Sequence, residues 1–270
     1  MKIGVRAHDY GKKDIEELAI ILNKEGYEAV QLALPKAFNE IECYEDITYK
    51  HLMEIRYAFE KNNIDISVFG CYMDLGNPDE KIRTYAVETI KKCLLYCKEV
   101  GAKMVGTETA YPRLDMQEKR TWYPYMLDSI KRIMEEAVRI DVKFAIEPVY
   151  WHPLDSIENV LHVMETIGDE KHLRMIFDAS NLLHNPQGVN QELFWNDWLE
   201  NTGKYIDVMH IKDFILDQEG QYCPVQLGKG IIQYQPISNW LHNNKTDIYL
   251  LREEMNPVFS RKDIEFLKKI

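Results

Sequence analysis

Residues 206–211 have the sequence IDVMHI, an apolar run interrupted by one aspartate and one histidine. Strands that are buried on both faces of a parallel sheet have this composition, because helices cover the two faces and leave little of the strand in water. Similar short β-rich runs occur along the rest of the chain, at residues 2–6, 29–34, 65–70, 103–107, 143–148, 173–178 and 248–252.

Amphipathic stretches separate these runs. The stretch 14–24 has apolar residues at positions 15, 18, 19 and 22, and Gly26 follows it as a C-terminal stop. Further helices are predicted at residues 80–100, which end at Gly101, and at 123–139, 156–167 and 260–269. Alternating strands and helices predict a parallel sheet with right-handed crossovers.

Eight strand–helix units predict a closed (β/α)₈ barrel, the α/β architecture called a TIM barrel. The 270 residues of the chain suit such a barrel, which needs roughly 250 residues. We therefore expect one barrel domain over residues 1–270. The alternative is an open doubly wound sheet, which would need a glycine-rich phosphate loop after the first strand. That turn has the sequence AHDYGK, with one glycine.

Charge and cysteine content exclude several classes of protein. The formal net charge is −11, with 44 acidic and 33 basic residues, and this disfavours nucleic-acid binding. The five cysteines are odd in number and have no framework spacing, which predicts reduced thiols and a cytoplasmic protein. The N-terminal residues lack the apolar region of a signal peptide, and no run approaches the roughly 20 apolar residues that cross a bilayer. We therefore expect no membrane partner.

Polar residues at the carboxyl ends of barrel strands face the active site. The last four runs end in Glu147, Asp178, His210 and the pair Glu253-Glu254. Neighbouring strands stand about 4.8 Å apart, so side chains from one rim can converge. Uncompensated carboxylates in that position would repel one another, and a divalent cation removes the conflict. Three carboxylates and one imidazole suit Mn²⁺, Mg²⁺, Co²⁺ or Zn²⁺, so we predict one such ion bound by Glu147, Asp178, His210 and one glutamate of the pair Glu253-Glu254.

Other polar residues near the strand ends are candidates for binding a small-molecule substrate. They are His8, Glu108, His152, Asn181, Lys212 and Asp213. Structural alternatives exist for several of these residues and for the metal candidates. Lys212 and Asp213 could pair with each other, a single carboxylate could cap the next helix, and His210 alone could be a hydrogen-bonded core histidine.

Five segments carry a resemblance to a known family. They are VGTETA (105–110), AIEPV (145–149), IFDASNLL (176–183), MHIKDF (209–214) and the turn LGKG (227–230), which is followed by IIQY. Over nearly its whole length the chain resembles the xylose-isomerase-like barrels, a family of sugar and sugar-phosphate isomerases and epimerases. The resemblance implies that Glu147, Asp178, His210 and Glu253 bind one metal. It favours Glu253 over Glu254, because Met-Asn-Pro then matches the spacing of the family's next turn.

Two branches of that family differ from this chain. The better-known ketose epimerases carry a histidine three residues after the sixth-strand aspartate, where this chain has Asn181, so the identity of the substrate is in question. The DNA-repair endonucleases use three metal ions and an Asp-x-His motif after the seventh strand. The corresponding segment here, VQLGKG at 225–230, has no histidine, which argues against a nuclease.

The resemblance implies an isomerase of carbohydrate metabolism that acts on a sugar or sugar phosphate, with Mn²⁺ as the expected ion. The metal would polarise a carbonyl. Glu147 or Glu253 would remove the neighbouring carbon-bound proton, and the other would return one, through a metal-stabilised enediolate.

Two alternatives remain open on sequence. A metal-dependent dehydratase of an inosose or related keto-polyol begins with the same step and differs in losing water. A non-catalytic sugar-binding barrel would not need all four ligands. The resemblance also allows a homo-oligomer, although no segment of the sequence marks an interface.

Overall fold

The computed structural model describes residues 1–186, 188–244 and 247–270. Its strands, in chain order, are β1 Lys2–Arg6, β2 Ala29–Leu32, β3 Asp65–Gly70, β4 Met104–Thr107, β5 Lys143–Ile146, β6 Leu173–Asp178, β7 Ile206–Ile211, β8 Asp213–Leu216, β9 Tyr222–Val225 and β10 Tyr249–Arg252. Eight of them pair in parallel and close into a barrel in the order β1-β10-β7-β6-β5-β4-β3-β2. The predicted TIM barrel is confirmed.

Helices surround the barrel and connect its strands. They are α1 Ile15–Glu25, α2 Leu34–Ala37, α3 Tyr49–Lys61, α4 Glu80–Val100, α5 Met116–Ile140, α6 Ile157–Ile167, α7 Ala179–Leu182, α8 Gln191–Thr202, α9 Tyr234–Asn244 and α10 Ser260–Leu267. Gly26 and Gly101 end α1 and α4 in the left-handed conformation, as their positions predicted. Within the described ranges, none of these helices has both the length and the apolar character needed to span a bilayer.

Helix α5 begins earlier than the predicted start at residue 123. Asp115 accepts hydrogen bonds from the backbone N–H groups of Gln117 and Glu118, and the Glu118 carboxylate accepts one from the Asp115 N–H. This capping box stabilises a helix start at Met116. The Asp-x-x-Glu signature marks this start in the sequence, whereas the apolar periodicity is clear only further along the helix.

The interior of the barrel is filled by a layer of apolar side chains. One buried residue comes from each of seven strands: Ala29, Val68, Met104, Ala145, Ile176, Val208 and Leu251. On β1, Gly4 pairs in register with Ala29 and Leu251. A Cβ at Gly4 would lie 2.5 Å from the Ala29 carbonyl oxygen, so this layer closes only around a glycine. The layer closes the barrel below the polar strand ends.

The connection between β7 and α9 contains a two-stranded antiparallel hairpin, β8–β9, which was not predicted. Asp213 organises it: its carboxylate accepts the N–H groups of Gly228 and Gly230 at 3.0 and 2.9 Å, and that of Ile232 at 3.2 Å. A Cβ at Gly230 would overlap this carboxylate, which explains the glycine in the LGKG turn. Asp213 therefore supports the loop. Lys212 pairs with Asp178, Glu253 and Glu254 instead of with Asp213, and a contact of Asp213 with substrate stays a prediction.

Candidate metal centre

Three of the four predicted metal ligands meet at the carboxyl ends of adjacent strands. Glu147 follows β5, Asp178 ends β6, and His210 lies near the end of β7 in register with Asp178. One potential ligand atom from each lies within 4.8 Å of the other two, and all three side chains are buried. Barrel register thus brings these distant residues together.

Local hydrogen bonds orient the two carboxylates of this cluster. Asp178 caps α7, and its Oδ1 accepts the N–H groups of Ser180 at 2.8 Å and Asn181 at 3.1 Å. The Asn181 side-chain amide donates to Glu147 Oε1 at 2.7 Å. The second oxygen of Glu147, Oε2, lies 3.1 Å from His210 Nδ1. Each carboxylate is therefore held through one oxygen and keeps the other for the cluster.

Gln31, a buried residue of β2, fixes the orientation of the His210 ring. The Gln31 amide nitrogen contacts Glu253 Oε1 at 2.9 Å and the Tyr72 hydroxyl, and its Oε1 lies 2.7 Å from His210 Nε2. Because an ionised carboxylate only accepts hydrogen bonds, the amide nitrogen must face Glu253. Gln31 Oε1 then accepts from His210 Nε2–H, which leaves the lone pair of the neutral ring on Nδ1. That atom faces Glu147 and Asp178, as a metal ligand would.

The cluster fits a divalent cation. Asp178 Oδ2 and His210 Nδ1 are buried, and their close partners are charged groups of the same centre: Lys212 Nζ lies 2.9 Å from Asp178 Oδ2, and Glu147 Oε2 lies 3.1 Å from His210 Nδ1. Neither contact has hydrogen-bond geometry within the described part of the chain, which leaves both atoms free to face one ion. Carboxylate oxygens with one imidazole nitrogen are the donors that divalent ions such as Mn²⁺ and Zn²⁺ accept.

Glu253, the fourth predicted ligand, lies across the imidazole from Glu147. Its Oε1 is 3.5 Å from His210 Nε2, and its Oε2 is 3.4 Å from Lys212 Nζ and 3.7 Å from the Arg6 guanidinium. It stands outside the three-residue cluster.

Its neighbour Glu254 has a left-handed backbone and also lines the cavity, with Oε1 3.4 Å from Lys212 Nζ. Its Oε2 accepts a hydrogen bond from the Tyr222 hydroxyl at 2.5 Å. Of the two adjacent glutamates, Glu253 is the more deeply buried.

The charges of the centre are strongly coupled. Burial raises the pKa of Asp178 to about 7, against the opposing effect of Lys212. Burial lowers the pKa of His210, but Glu253 and Glu147 outweigh it and raise the value to about 9. Burial also opposes ionisation of Glu253, yet His210 and Arg6 hold the pKa of that carboxyl well below its usual range. The centre is thus a set of buried charges that depend on one another.

A cavity of about 790 Å³ opens above the cluster. Its lining includes five of the residues proposed from sequence: His8, Glu108, Asn181, Lys212 and Glu253. Burial raises the pKa of Glu108 to about 8, with Glu147 adding to the rise.

His152 lies behind this surface. It is buried, and its Nδ1 is 3.8 Å from Glu108 Oε2. Burial lowers the pKa of its imidazole to about 3 and keeps the ring neutral. His152 therefore contacts Glu108, which itself lines the cavity.

Two residues of the centre were not proposed from sequence. Gln31 is the one polar residue in the predicted run 29–34 (AVQLAL), and a polar side chain inside a buried strand is a signal that could have found it. Arg6 ends β1, where its guanidinium donates to Asp9 at 2.6 Å and approaches Glu253. A charged residue at a barrel strand end gives the same kind of signal.

The fold and site define a class: a (β/α)₈ barrel with a candidate divalent-cation centre of Glu, Asp and His at its strand ends. The chain belongs to the xylose isomerase-like TIM barrel family, whose sequence profile matches residues 20–270. The resemblance proposed from sequence is confirmed.

Relatives of the chain include sugar epimerases. The L-ribulose-5-phosphate 3-epimerase UlaE of Shigella boydii is 22% identical over 164 residues, which are 60% of this chain and 53% of that protein. The chain thus matches only about half the length of such relatives. The E. coli 3-keto-D-glucoside 4-epimerase YcjR superposes with a TM-score of 0.78, 16% identity and full coverage of both chains. The IOLI protein with a bound zinc atom has a TM-score of 0.75 and 19% identity, over 100% of this chain and 96% of that one.

Proposed function

We propose that the protein is a metal-dependent sugar epimerase or isomerase that moves a proton on a carbon next to a carbonyl group. One observation carries this proposal: Glu147 and Glu253 lie at opposite edges of the His210 imidazole, 3.1 and 3.5 Å from its two nitrogens. Epimerisation needs one carboxylate to remove the proton from one face of the carbon and a second group to deliver a proton to the opposite face. Two carboxylates separated by a ring suit that task.

Glu147, Asp178 and His210 would hold the metal, and we propose Glu253 as the fourth ligand. When bound, a divalent cation supplies positive charge that polarises a substrate carbonyl and so acidifies the neighbouring C–H. We propose Mn²⁺ as the ion, with Mg²⁺, Co²⁺ and Zn²⁺ compatible with the same donors. The zinc in the IOLI structure supports a divalent ion in a barrel of this kind.

The remaining site residues would orient the sugar and its bases. Asn181 holds Glu147 through Oε1 and so leaves Oε2, which faces His210 Nδ1, as the oxygen for the metal and the reacting carbon. Lys212 lies between Asp178 and Glu253, where its ammonium group would donate to a substrate oxygen that gains negative charge. His8 and Glu108 line the cavity and would bind hydroxyl groups. Binding at several points fixes which C–H bond faces the base.

The named relatives support a sugar as the substrate. UlaE is an epimerase of a ketose phosphate and YcjR an epimerase of a keto-glucoside, so both act on a carbon near a carbonyl group. We therefore propose a ketose or keto-sugar as the substrate class of this chain.

Deuterium exchange tests the proposal directly. The protein is stripped of metal with a chelator, reloaded with Mn²⁺, and incubated in D₂O with ketoses and ketose phosphates while carbon-bound deuterium is measured by NMR and mass spectrometry. We expect exchange only with metal, and Glu147→Gln should lower the rate by at least about a hundredfold. Glu253→Gln should uncouple exchange at one face from net epimerisation.

Glu265→Gln, at an exposed position on α10, is the matched control and should behave as wild type. Failure of every ketose to show metal-dependent exchange would refute proton transfer as the function. Loss of water in the product mass would instead identify dehydration.

A further inference from the structure

Lys212 is a buried cation that contacts the same oxygen of Asp178 as the proposed metal ion would. Its side chain is 4% exposed, and Nζ lies 2.9 Å from Asp178 Oδ2. Oδ2 is the Asp178 oxygen that faces the cluster, because Oδ1 accepts the backbone N–H groups of Ser180 and Asn181. The ammonium group and a divalent ion would therefore share one oxygen atom.

The contact between Lys212 and Asp178 is one of charge and does not orient the carboxylate. Two backbone hydrogen bonds, at 2.8 and 3.1 Å, already hold Asp178 through Oδ1. The contact of Lys212 with Oδ2 lacks hydrogen-bond geometry, whereas the ammonium group donates to Glu253 Oε2 and Glu254 Oε1, each at 3.4 Å. Asp178 should therefore keep its place when the charge of Lys212 is removed.

Two cations on one buried oxygen repel each other. The repulsion between an ammonium group and a divalent ion is strong at this depth, because little solvent lies between buried charges to screen them. Both cations also relieve the same repulsion among the carboxylates, so either one reduces what the other gains by binding. Lys212 therefore lowers the affinity of the centre for a metal ion.

Glu254 offers the ammonium group of Lys212 a partner that is nearer to solvent. Its side chain is 29% exposed, against 4% for that of Glu253, and it lines the cavity. The Tyr222 hydroxyl donates to Glu254 Oε2 at 2.5 Å and so holds this carboxylate beside the hairpin. The ammonium group can thus leave Asp178 and still contact a carboxylate.

We infer that Lys212 competes with the metal ion for Asp178 Oδ2, and that its ammonium group moves toward Glu254 and the cavity when the metal is bound. The inference rests on the metal centre of the proposed function and adds an order of binding to it. With the metal in place first, the ammonium group faces the cavity and can donate to a substrate oxygen. A lysine that only supports Asp178 would stay on Oδ2 in both states.

Metal affinity distinguishes competition from support. Mn²⁺ is titrated at pH 8 against a competing chelator, without sugar, into wild type, Lys212→Met and Lys212→Gln. We expect both variants to bind Mn²⁺ at least about tenfold more tightly than wild type, because each removes one positive charge beside the ion. The glutamine variant keeps a polar group among the carboxylates, so it serves if the methionine variant does not fold.

Lys171→Met is the matched control for the loss of one positive charge. Lys171 is 70% exposed and precedes β6, at the end of the barrel opposite to the metal centre. Its charge is screened by solvent and salt, so this variant should bind Mn²⁺ with an affinity within about twofold of wild type.

Amine labelling of the wild-type protein follows the displacement itself. The protein is treated with formaldehyde and cyanoborohydride with and without bound Mn²⁺, and methylation of each lysine is measured by peptide mass spectrometry. Lys212 should be methylated faster when Mn²⁺ is bound, because its ammonium group then lies nearer to the cavity. Lys171 should be methylated at the same rate in both states.

Activity should change in the opposite direction to metal affinity. In the metal-loaded Lys212→Met and Lys212→Gln proteins, the kcat for ketose deuterium exchange should fall about a hundredfold, because the substrate oxygen loses its charged donor. A general folding defect would lower both metal affinity and activity, so a rise in one with a fall in the other excludes it.

The outcomes separate this inference from the proposed function. Mn²⁺ affinity at or below the wild-type value in both variants, or methylation of Lys212 that does not respond to Mn²⁺, would overturn the competition and leave the metal centre and proton transfer standing. Tighter Mn²⁺ binding by the variants of a protein that exchanges no ketose would support the competition and refute proton transfer. If the wild-type protein binds no Mn²⁺, the metal centre fails and the inference with it.

Discussion

Replacing Gln31 by methionine removes three hydrogen bonds from the centre of the barrel and nearly preserves the side-chain volume. Those bonds join Gln31 to His210 Nε2, Glu253 Oε1 and the Tyr72 hydroxyl. In the variant, the remaining contact of His210 Nε2 is Glu253 Oε1 at 3.5 Å, which is too long to hold the ring in one tautomer. Either nitrogen can then carry the proton, and the lone pair is no longer held toward Glu147 and Asp178.

Gln31→Met should lower both the metal affinity and the free energy of unfolding. Loss of the partner that orients a metal-binding histidine weakens metal affinity by about 10- to 100-fold. The variant also leaves His210 Nε2 buried without Gln31, and an unsatisfied buried group costs about 1–3 kcal/mol, whereas Tyr72 is half-buried and lines the cavity. Glu253 keeps its contact with Lys212. We therefore expect the free energy of unfolding of the metal-free Gln31→Met protein to fall by about 1–3 kcal/mol.

Two assays check this prediction. Mn²⁺ titration against a competing chelator gives the affinity, and urea unfolding of the metal-free protein gives the stability. Ser67→Ala is the control, because it removes a buried hydrogen bond from Ser67 to the Val30 carbonyl and should cost about 1 kcal/mol without changing metal affinity. A Gln31→Met protein whose Mn²⁺ affinity stays within about threefold of wild type would refute the assigned role of Gln31.

Three further predictions concern pH, the hairpin connection and a buried ion pair. The pKa of His210 is about 9 and that of Asp178 about 7, so metal binding must displace one proton between pH 7 and 9 and two below pH 7. Mn²⁺ affinity measured by titration should therefore rise about tenfold per pH unit between 7 and 8.5, and more steeply below 7. An affinity that does not change with pH would contradict this. Asp213→Ala leaves four backbone N–H groups without their acceptor and should abolish hydrogen-exchange protection in residues 226–232. Unchanged protection would show that Asp213 does not hold this turn in place. Arg252→Met leaves Asp263 charged and buried without the guanidinium that lies 2.8 Å away. The free energy of unfolding, measured in urea, should fall by about 3–5 kcal/mol. A loss under about 1 kcal/mol would show that this ion pair does not stabilise the fold.

The barrel was predictable because its strands have strong local signals. Runs such as IDVMHI are apolar on both faces, and a helix with a clear stop separates most of them. The meeting of Glu147, Asp178 and His210 followed from the same reasoning, because parallel strands bring their carboxyl ends to one rim. Sequence pattern and barrel topology agree at these positions.

Roles that depend on distant backbone were not predictable. Asp213 follows His210 directly in the MHIKDF segment and looked like a site residue, but its oxygens are used by N–H groups of a turn that begins more than ten residues later. Gln31 acts across the interior on His210, from a strand that is not its neighbour in the barrel. Such contacts depend on barrel closure, and local periodicity gives no information about which distant residues then meet.

We propose that Glu147, Asp178 and His210 bind one divalent cation. Equilibrium dialysis of the chelator-treated protein against Mn²⁺ at pH 8, with metal content measured by mass spectrometry, tests this binding. We expect one ion per chain in the wild type and in the Glu265→Gln control, and a loss of bound ion in Asp178→Asn and His210→Ala. A wild-type protein that binds no ion, or a His210→Ala protein that binds Mn²⁺ as tightly as wild type, would contradict the claim.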